Sequence, residues 1–243
     1  MKILAIIPAR YASTRFPGKP LVLIHGKPMI QHVVERVSSI ISDVFVATDD
    51  DRIKNKVIEF GAKVIMTSTE HKSGTDRCRE AAEKASQIMN TTYDIVLNIQ
   101  GDEPFIEKSQ IESLINLFDD EVQIATLVKP ITSFDELVNP NSPKVVINKN
   151  NEALYFSRST IPYNRGYELN QWMNNHTYFK HIGIYAFKYD VLTKITQIEQ
   201  SKLELVESLE QLRWIENGYR IKVGFTTIEN IAIDTPEDLL KLN

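Results

Sequence analysis

Ile3-Leu4-Ala5-Ile6-Ile7-Pro8-Ala9-Arg10-Tyr11-Ala12-Ser13-Thr14-Arg15-Phe16-Pro17-Gly18-Lys19-Pro20-Leu21 stands almost at the start of the chain. The unbroken apolar run Ile3–Ile7 has the length of a strand covered on both faces, as in a parallel sheet. It delivers the backbone into a loop that carries Arg10, Arg15 and Lys19 together with Ser13, Thr14 and Gly18. Arginine offers phosphate oxygens a planar fork and lysine a compact charge. The loop therefore reads as a cradle for a nucleoside triphosphate at the carboxyl edge of a sheet, where such folds bind their ligands. A solvated basic turn would also tolerate Pro8, Pro17 and Pro20, but it has no need of so many cations and hydroxyls.

Outward from this strand, helix and strand signals alternate over the first 130 residues. Pro28 opens a helix as a first-turn proline, with Met29, Ile30, Val33, Val34, Val37, Ile40 and Ile41 at helical spacing. Val44–Ala47 is a strand, and a short helix marked by Ile53, Val57 and Ile58 stops at Gly61. Strands at Val64–Met66, Ile95–Ile99 and Ile124–Val128 alternate with helices at Thr75–Met89 and Lys108–Phe118. Repeated βα units of this length imply an α/β fold: a mostly parallel sheet with helices on both faces.

The pattern changes after Pro130. Short strands at Val145–Ile147 and Leu154–Phe156 precede a long one at Phe179–Phe187. This segment reads as a smaller lobe, a lid or subunit contact, inserted at about 131–187 into a single domain spanning 1–243. A helix from Glu204 to Asn217 follows, with Leu205, Leu209, Leu212 and Ile215 inward. A strand near Ile221–Phe225 and a last helix from Thr235-Pro236 close the chain.

The chain has 243 residues, 42% hydrophobic and 25% charged, with a net charge of −4. These are ordinary globular values. No extended basic stripe exists to displace counterions, which disfavours nucleic acid as a partner. One cysteine, Cys78, excludes an internal disulfide framework and suits a reducing compartment. No run approaches membrane-spanning length, so a cytoplasmic protein without membrane insertion is expected. G-x-G-x-x-G after the first strand, a P-loop, a G-x-S-x-G elbow and zinc spacing are all missing, which disfavours the corresponding enzyme classes.

Two acids end apolar runs: Asp102 in Asn98-Ile99-Gln100-Gly101-Asp102-Glu103-Pro104, and Asp234 in Ile231-Ala232-Ile233-Asp234. Magnesium usually takes one or two carboxylates plus phosphates and waters, so the pair could clamp one metal. A turn would explain Gly101-Asp102 alone. A helix cap explains Thr235, Pro236 and Asp238 but leaves Asp234 unassigned. Among weaker candidates, Asp51 reads as a helix cap and Asp49 as at most a nucleoside contact. In His71-Lys72-Ser73-Gly74-Thr75-Asp76-Arg77, Ser73 or Thr75 suits a cap. His181, Gly183 and Tyr185 share a strand face. Glu207, Glu210 and Gln211 share a polar helix face, which is most often solvated.

IPARYASTRFPGKPL, ATDD at 47–50, HKSGTDR at 71–77, NIQGDEP at 98–104, LYFSRSTIP at 154–162, KHIGIYAF at 180–187, VESLEQLR at 206–213 and IDTPEDL at 233–239 occur in this order. The set spans nearly the whole chain and closely resembles the 3-deoxy-manno-octulosonate (Kdo) cytidylyltransferase family. The resemblance implies a nucleotide-diphospho-sugar transferase type of fold, usually dimeric, that activates Kdo with CTP and Mg2+ for lipopolysaccharide synthesis. It implies a triphosphate held by Arg10, Arg15 and Lys19, with Ser73 and Arg77 near the nucleotide. It implies magnesium on Asp102 and Asp234, and catalytic roles for Lys19, Asp102 and Asp234. It implies a sugar site of Gln100, Arg158, His181, Tyr185, Glu210 and Gln211. A cytidylyltransferase for 8-amino-Kdo or sialic acid would share the phosphate machinery and differ in the sugar pocket.

Overall fold

The computed structural model describes residues 1–12, 16–229, 233 and 238–239. In chain order the elements are β1 (Ile3–Pro8), β2 (Leu23–Ile24), β3 (Lys27–Pro28), α1 (Met29–Ser38), β4 (Asp43–Thr48), α2 (Asp51–Glu59), β5 (Val64–Met66), α3 (Gly74–Met89), β6 (Ile95–Asn98) and α4 (Lys108–Ile115). They continue with β7 (Ile124–Pro130), α5 (Phe134–Val138), β8 (Lys144–Ile147), β9 (Ala153–Ser157), α6 (Trp172–Asn175), β10 (Phe179–Lys188), α7 (Tyr189–Ile195), α8 (Lys202–Glu207), α9 (Gln211–Glu216) and β11 (Ile221–Phe225). Two compact units result. One comprises Met1–Glu112, Ala186–Thr196 and Asn230–Asn243, and the other Ser113–Tyr185 and Gln197–Glu229. The second takes in more than the 131–187 lobe, because β7 and β11 pair with each other inside it.

In the first unit β6, β1, β4 and β5 lie side by side in that order, all parallel. Leu4, Ala5, Ile6 and Ile7 have no exposed surface, so both faces of β1 are covered and the continuous apolar run is accounted for. Helices α1 and α3 pack against β1 and β4. Helix α1 buries Met29, Ile30, Val33, Val34 and Val37 on one stripe, each worth roughly 1.5–3 kcal/mol of apolar burial. Pro28 is the N-cap of α1 with extended ψ of 142°, one position earlier than the first turn. The cap of α2 is Asp50, not Asp51: its carboxylate accepts the Arg52 amide at 2.9 Å. Asp50 alone has the extended backbone that a cap requires before a helix beginning at Asp51.

In the second unit β7 lies between β11 and β10. β11 runs parallel to β7, while β8 runs antiparallel to β10 and to β9. The helix expected over 204–217 is two helices, α8 and α9. Ser208 between them takes a left-handed conformation (φ 50°, ψ 48°). The break swings Leu205 outward to 59% exposure, while Leu209 and Leu212 stay buried. Glu207 leaves the expected polar face and accepts from Ser157 Oγ at 2.6 Å and the Arg158 amide at 2.9 Å. The start of the last helix, expected at Thr235-Pro236, lies outside the described residues, while Asp238 and Leu239 are helical.

Candidate active site

β1, β4 and β6 are parallel neighbours, so the loops that follow them share one edge of the first unit. Lys19 Nζ donates to Asp102 Oδ2 at 2.6 Å, joining the loop after β1 to the loop after β6. The lysine side chain is 11% exposed and the aspartate 33%. Two glycines permit this meeting. Gly18, just before Lys19, has φ 72°, and a Cβ there would lie 3.1 Å from the Tyr11 ring. Gly101, just before Asp102, sits so close to β1 that a Cβ would lie 2.7 Å from the Pro8 carbonyl oxygen. Both residues of the pair are thus carried by backbone that tolerates no larger side chain beside them.

Arg10 and Gln100 are half-buried on the same two loops. Ser73 is the N-cap of α3: its hydroxyl accepts the Asp76 amide at 3.0 Å, and Asp76 returns the bond to the Ser73 amide at 3.2 Å. The first turn of α3, Gly74-Thr75-Asp76, follows directly from this cap. Arg77, expected near the nucleotide, is fully buried. Its guanidinium donates to Asp49 Oδ2 at 2.6 Å and to Thr67 Oγ1 at 2.5 Å, so it braces the ends of β4 and β5 from beneath. Asp49 is the partner that the run Asp49-Asp50-Asp51 concealed. Tyr11 was missed as well: the Arg52 guanidinium stacks 3.2 Å from its ring centroid. Arg15 and Asp234 lie outside the described residues.

The remaining candidates belong to the second unit. The His181 and Tyr185 rings lie 5.1 Å apart on β10. Phe156 meets His181 edge-on, and Trp214 meets Tyr185 edge-on, each at 5.1 Å. Burial pushes the His181 imidazole down to about 3, so the ring is neutral. Burial, and then the charge of Glu210, hold the Tyr185 phenol well above its usual range. Glu210 pairs with Arg213 at 2.7 Å. Gln211 is buried, and its Nε2 has no partner among the described residues, which corrects the solvated helix face expected for it. The Arg158 guanidinium donates to the carbonyls of Glu207, Pro140 and Ser208 at 2.7, 2.9 and 3.3 Å. In this arrangement the arginine pins the turn between α8 and α9.

Residues 4–222 match the family model described as cytidylyltransferase. The chain belongs to the cytidylyltransferase family. It is a nucleotidyltransferase, with the mostly parallel α/β fold of nucleotide-sugar transferases. A 3-deoxy-manno-octulosonate cytidylyltransferase of Parabacteroides distasonis is 60% identical over 246 residues, covering 99% of this chain and 96% of its own. An 8-amino-3,8-dideoxy-manno-octulosonate cytidylyltransferase of Shewanella baltica is 45% identical over 246 residues, covering 99% and 97%. A solved structure described as CMP:2-keto-3-deoxy-manno-octonic acid synthetase complexed with CTP superposes with a TM-score of 0.91. It has 43% identity and covers 100% of this chain and 97% of that one.

Proposed function

We propose that this cytidylyltransferase transfers CMP from CTP to the anomeric 2-hydroxyl of Kdo and releases pyrophosphate. The observation that carries the reading is the Lys19–Asp102 pair at the carboxyl edge of the parallel sheet. The hydroxyl oxygen attacks the α-phosphorus, the bond from that phosphorus to the β-phosphate oxygen breaks, and the hydroxyl proton passes to solvent. Charge grows on the departing pyrophosphate, where Lys19 and Arg10 stabilise it, with Arg15 as a further phosphate ligand. Ser73 and the N-terminus of α3 supply neutral donors to the nucleotide.

Asp102 fits a magnesium site. It stands in the loop after β6, a third of its side chain is open, and Lys19 bonds to one of its two oxygens. Asp102 with Asp234 would hold the ion, which when bound screens the triphosphate and acidifies the attacking hydroxyl. Gln100, His181, Tyr185, Glu210 and Gln211 are the residues we assign to sugar contact, and Arg158 orders the α8–α9 turn beside Glu210. The stronger likeness to the Kdo relative, 60% against 45% for the 8-amino one, favours Kdo as the acceptor. No described helix is long and apolar enough to cross a membrane. A cytoplasmic homodimer serving lipopolysaccharide synthesis completes the proposal. Its test is Asp102→Asn, which should cut magnesium-dependent turnover by about a hundredfold or more. Near-normal magnesium-dependent turnover in that variant would contradict the assignment.

A further inference from the structure

We propose that Thr126 is a positioning residue: it holds the His181 imidazole as its Nε2–H tautomer, so that Nδ1 is presented as a hydrogen-bond acceptor to a hydroxyl of the acid sugar. The placement of His181 in the sugar site is the reading given above. The choice of tautomer follows from the geometry around one hydroxyl.

Thr126 is fully buried on β7. Its Oγ1 lies 2.8 Å from the Ile184 carbonyl, 3.1 Å from the Ile182 carbonyl and 3.0 Å from His181 Nε2. A hydroxyl has one proton and two lone pairs, whereas a carbonyl can only accept. Donation to Nε2 would leave two carbonyl oxygens facing hydroxyl lone pairs, with no proton between them, in a buried place. Lone pairs facing each other at 2.8 and 3.1 Å repel, so that arrangement is disfavoured. Donation to the nearer carbonyl, that of Ile184, puts the single hydroxyl proton into the shorter contact, and a lone pair then receives Nε2–H. The proton is therefore on Nε2 and Nδ1 is bare.

Nδ1 makes no hydrogen bond among the described residues, and it is not one of the enclosed polar atoms without a partner. His181 as a whole is half-buried, with Phe156 and Tyr185 flanking its ring. An acceptor nitrogen on a ring that stays neutral can take a hydroxyl proton, and a polyhydroxylated acid sugar supplies many. Thr126 thus determines what His181 can offer without touching the sugar.

The test combines a spectroscopic and a kinetic readout on the full chain. The chain contains five histidines. Long-range 15N–1H spectra of histidine-labelled protein, with His181→Gln as the assignment control, report which ring nitrogen carries the proton. Wild type and Thr126→Ser should both show a protonated Nε2, and Thr126→Val should show a shift toward the other tautomer. Thr126→Val should raise KM for Kdo about tenfold, the size of one lost hydrogen bond, and leave KM for CTP unchanged. Thr126→Ser should restore the wild-type KM. A wild-type ring protonated on Nδ1 overturns the proposal without any variant, so a Thr126→Val protein that fails to fold does not shelter it. The assigned tautomer in wild type, together with an unmoved KM for Kdo in a folded Thr126→Val, overturns the link to the sugar and places the failure in the sugar-site reading.

Discussion

Replacing Arg77 with methionine removes a cation that reaches both Asp49 and Thr67 while keeping an unbranched apolar stem. Two charge-assisted hydrogen bonds disappear, at 2.6 and 2.5 Å. Such bonds contribute about 1.5–3 kcal/mol each when the partner stays buried. Breaking a fully buried ion pair costs about 3–5 kcal/mol, because the remaining charge is stranded. Asp49 retains 18% exposure, so water rehydrates part of it. The expected loss is therefore about 3 kcal/mol, which for a chain of this size lowers Tm by about 6–12 °C. Calorimetry of wild type, Arg77→Met, Asp49→Asn and the double variant isolates the pair. The coupling should be about 2 kcal/mol, since the two groups share a direct contact. Arg77→Lys should recover only part of the loss, because one ammonium cannot serve both partners at these distances. An Arg77→Met protein that melts within a degree of wild type while its KM for CTP rises steeply would refute the brace and put Arg77 on the nucleotide.

Gly101→Ala places a methyl group 2.7 Å from the Pro8 carbonyl oxygen. The backbone must shift, costing about 1–3 kcal/mol, and Asp102 shifts with it, so turnover should fall tenfold or more while far-UV circular dichroism stays native. Glu80 accepts from the Ser68 amide at 2.9 Å, from Lys84 at 2.7 Å and from His71. Burial alone would raise its carboxyl, but the bonds from Lys84, the Ser68 amide and His71 outweigh it and hold the group at about 2 rather than 4.5. The resulting stabilisation is present above pH 4.5 and is lost as pH falls through about 2. Glu80→Gln should thus be less stable than wild type by about 2 kcal/mol at pH 7, with the gap closing toward pH 2 in urea titrations.

The βα units of the first unit were legible because strands covered on both faces are written as unbroken apolar runs, as in Ile3–Ile7 and Ile95–Ile99. Asp102 was legible for the same reason, as the first acid after such a run. What decides Lys19 was not: its partner stands 83 residues away, and only the parallel pairing of β1 with β6 brings the two loops together. The break at Ser208 was hidden because Val206–Arg213 keeps helical spacing and no glycine marks the left-handed residue. The break depends on Arg158, which binds the carbonyls of Glu207 and Ser208 from another element. The cap expected at Asp51 falls one residue earlier, at Asp50, because Asp50 has the extended backbone and accepts the Arg52 amide, neither of which adjacent acids reveal in sequence. The burial of Arg77 is a tertiary fact: a charged residue in Gly74-Thr75-Asp76-Arg77 looks solvent-facing until Asp49 and Thr67 are placed beside it. His181 was legible as a strand residue sharing a face with Tyr185, but its neutrality and its tautomer depend on β7, which periodicity in β10 cannot reveal.

The most direct test of the proposed reaction is kcat/KM for pyrophosphate release from CTP with Kdo, 8-amino-Kdo and sialic acid as separate acceptors, each with magnesium present. The account predicts that Kdo is preferred over both other acids, and that ATP and GTP give far less turnover than CTP. A preference for 8-amino-Kdo or sialic acid, or equal use of CTP and a purine triphosphate, would contradict it.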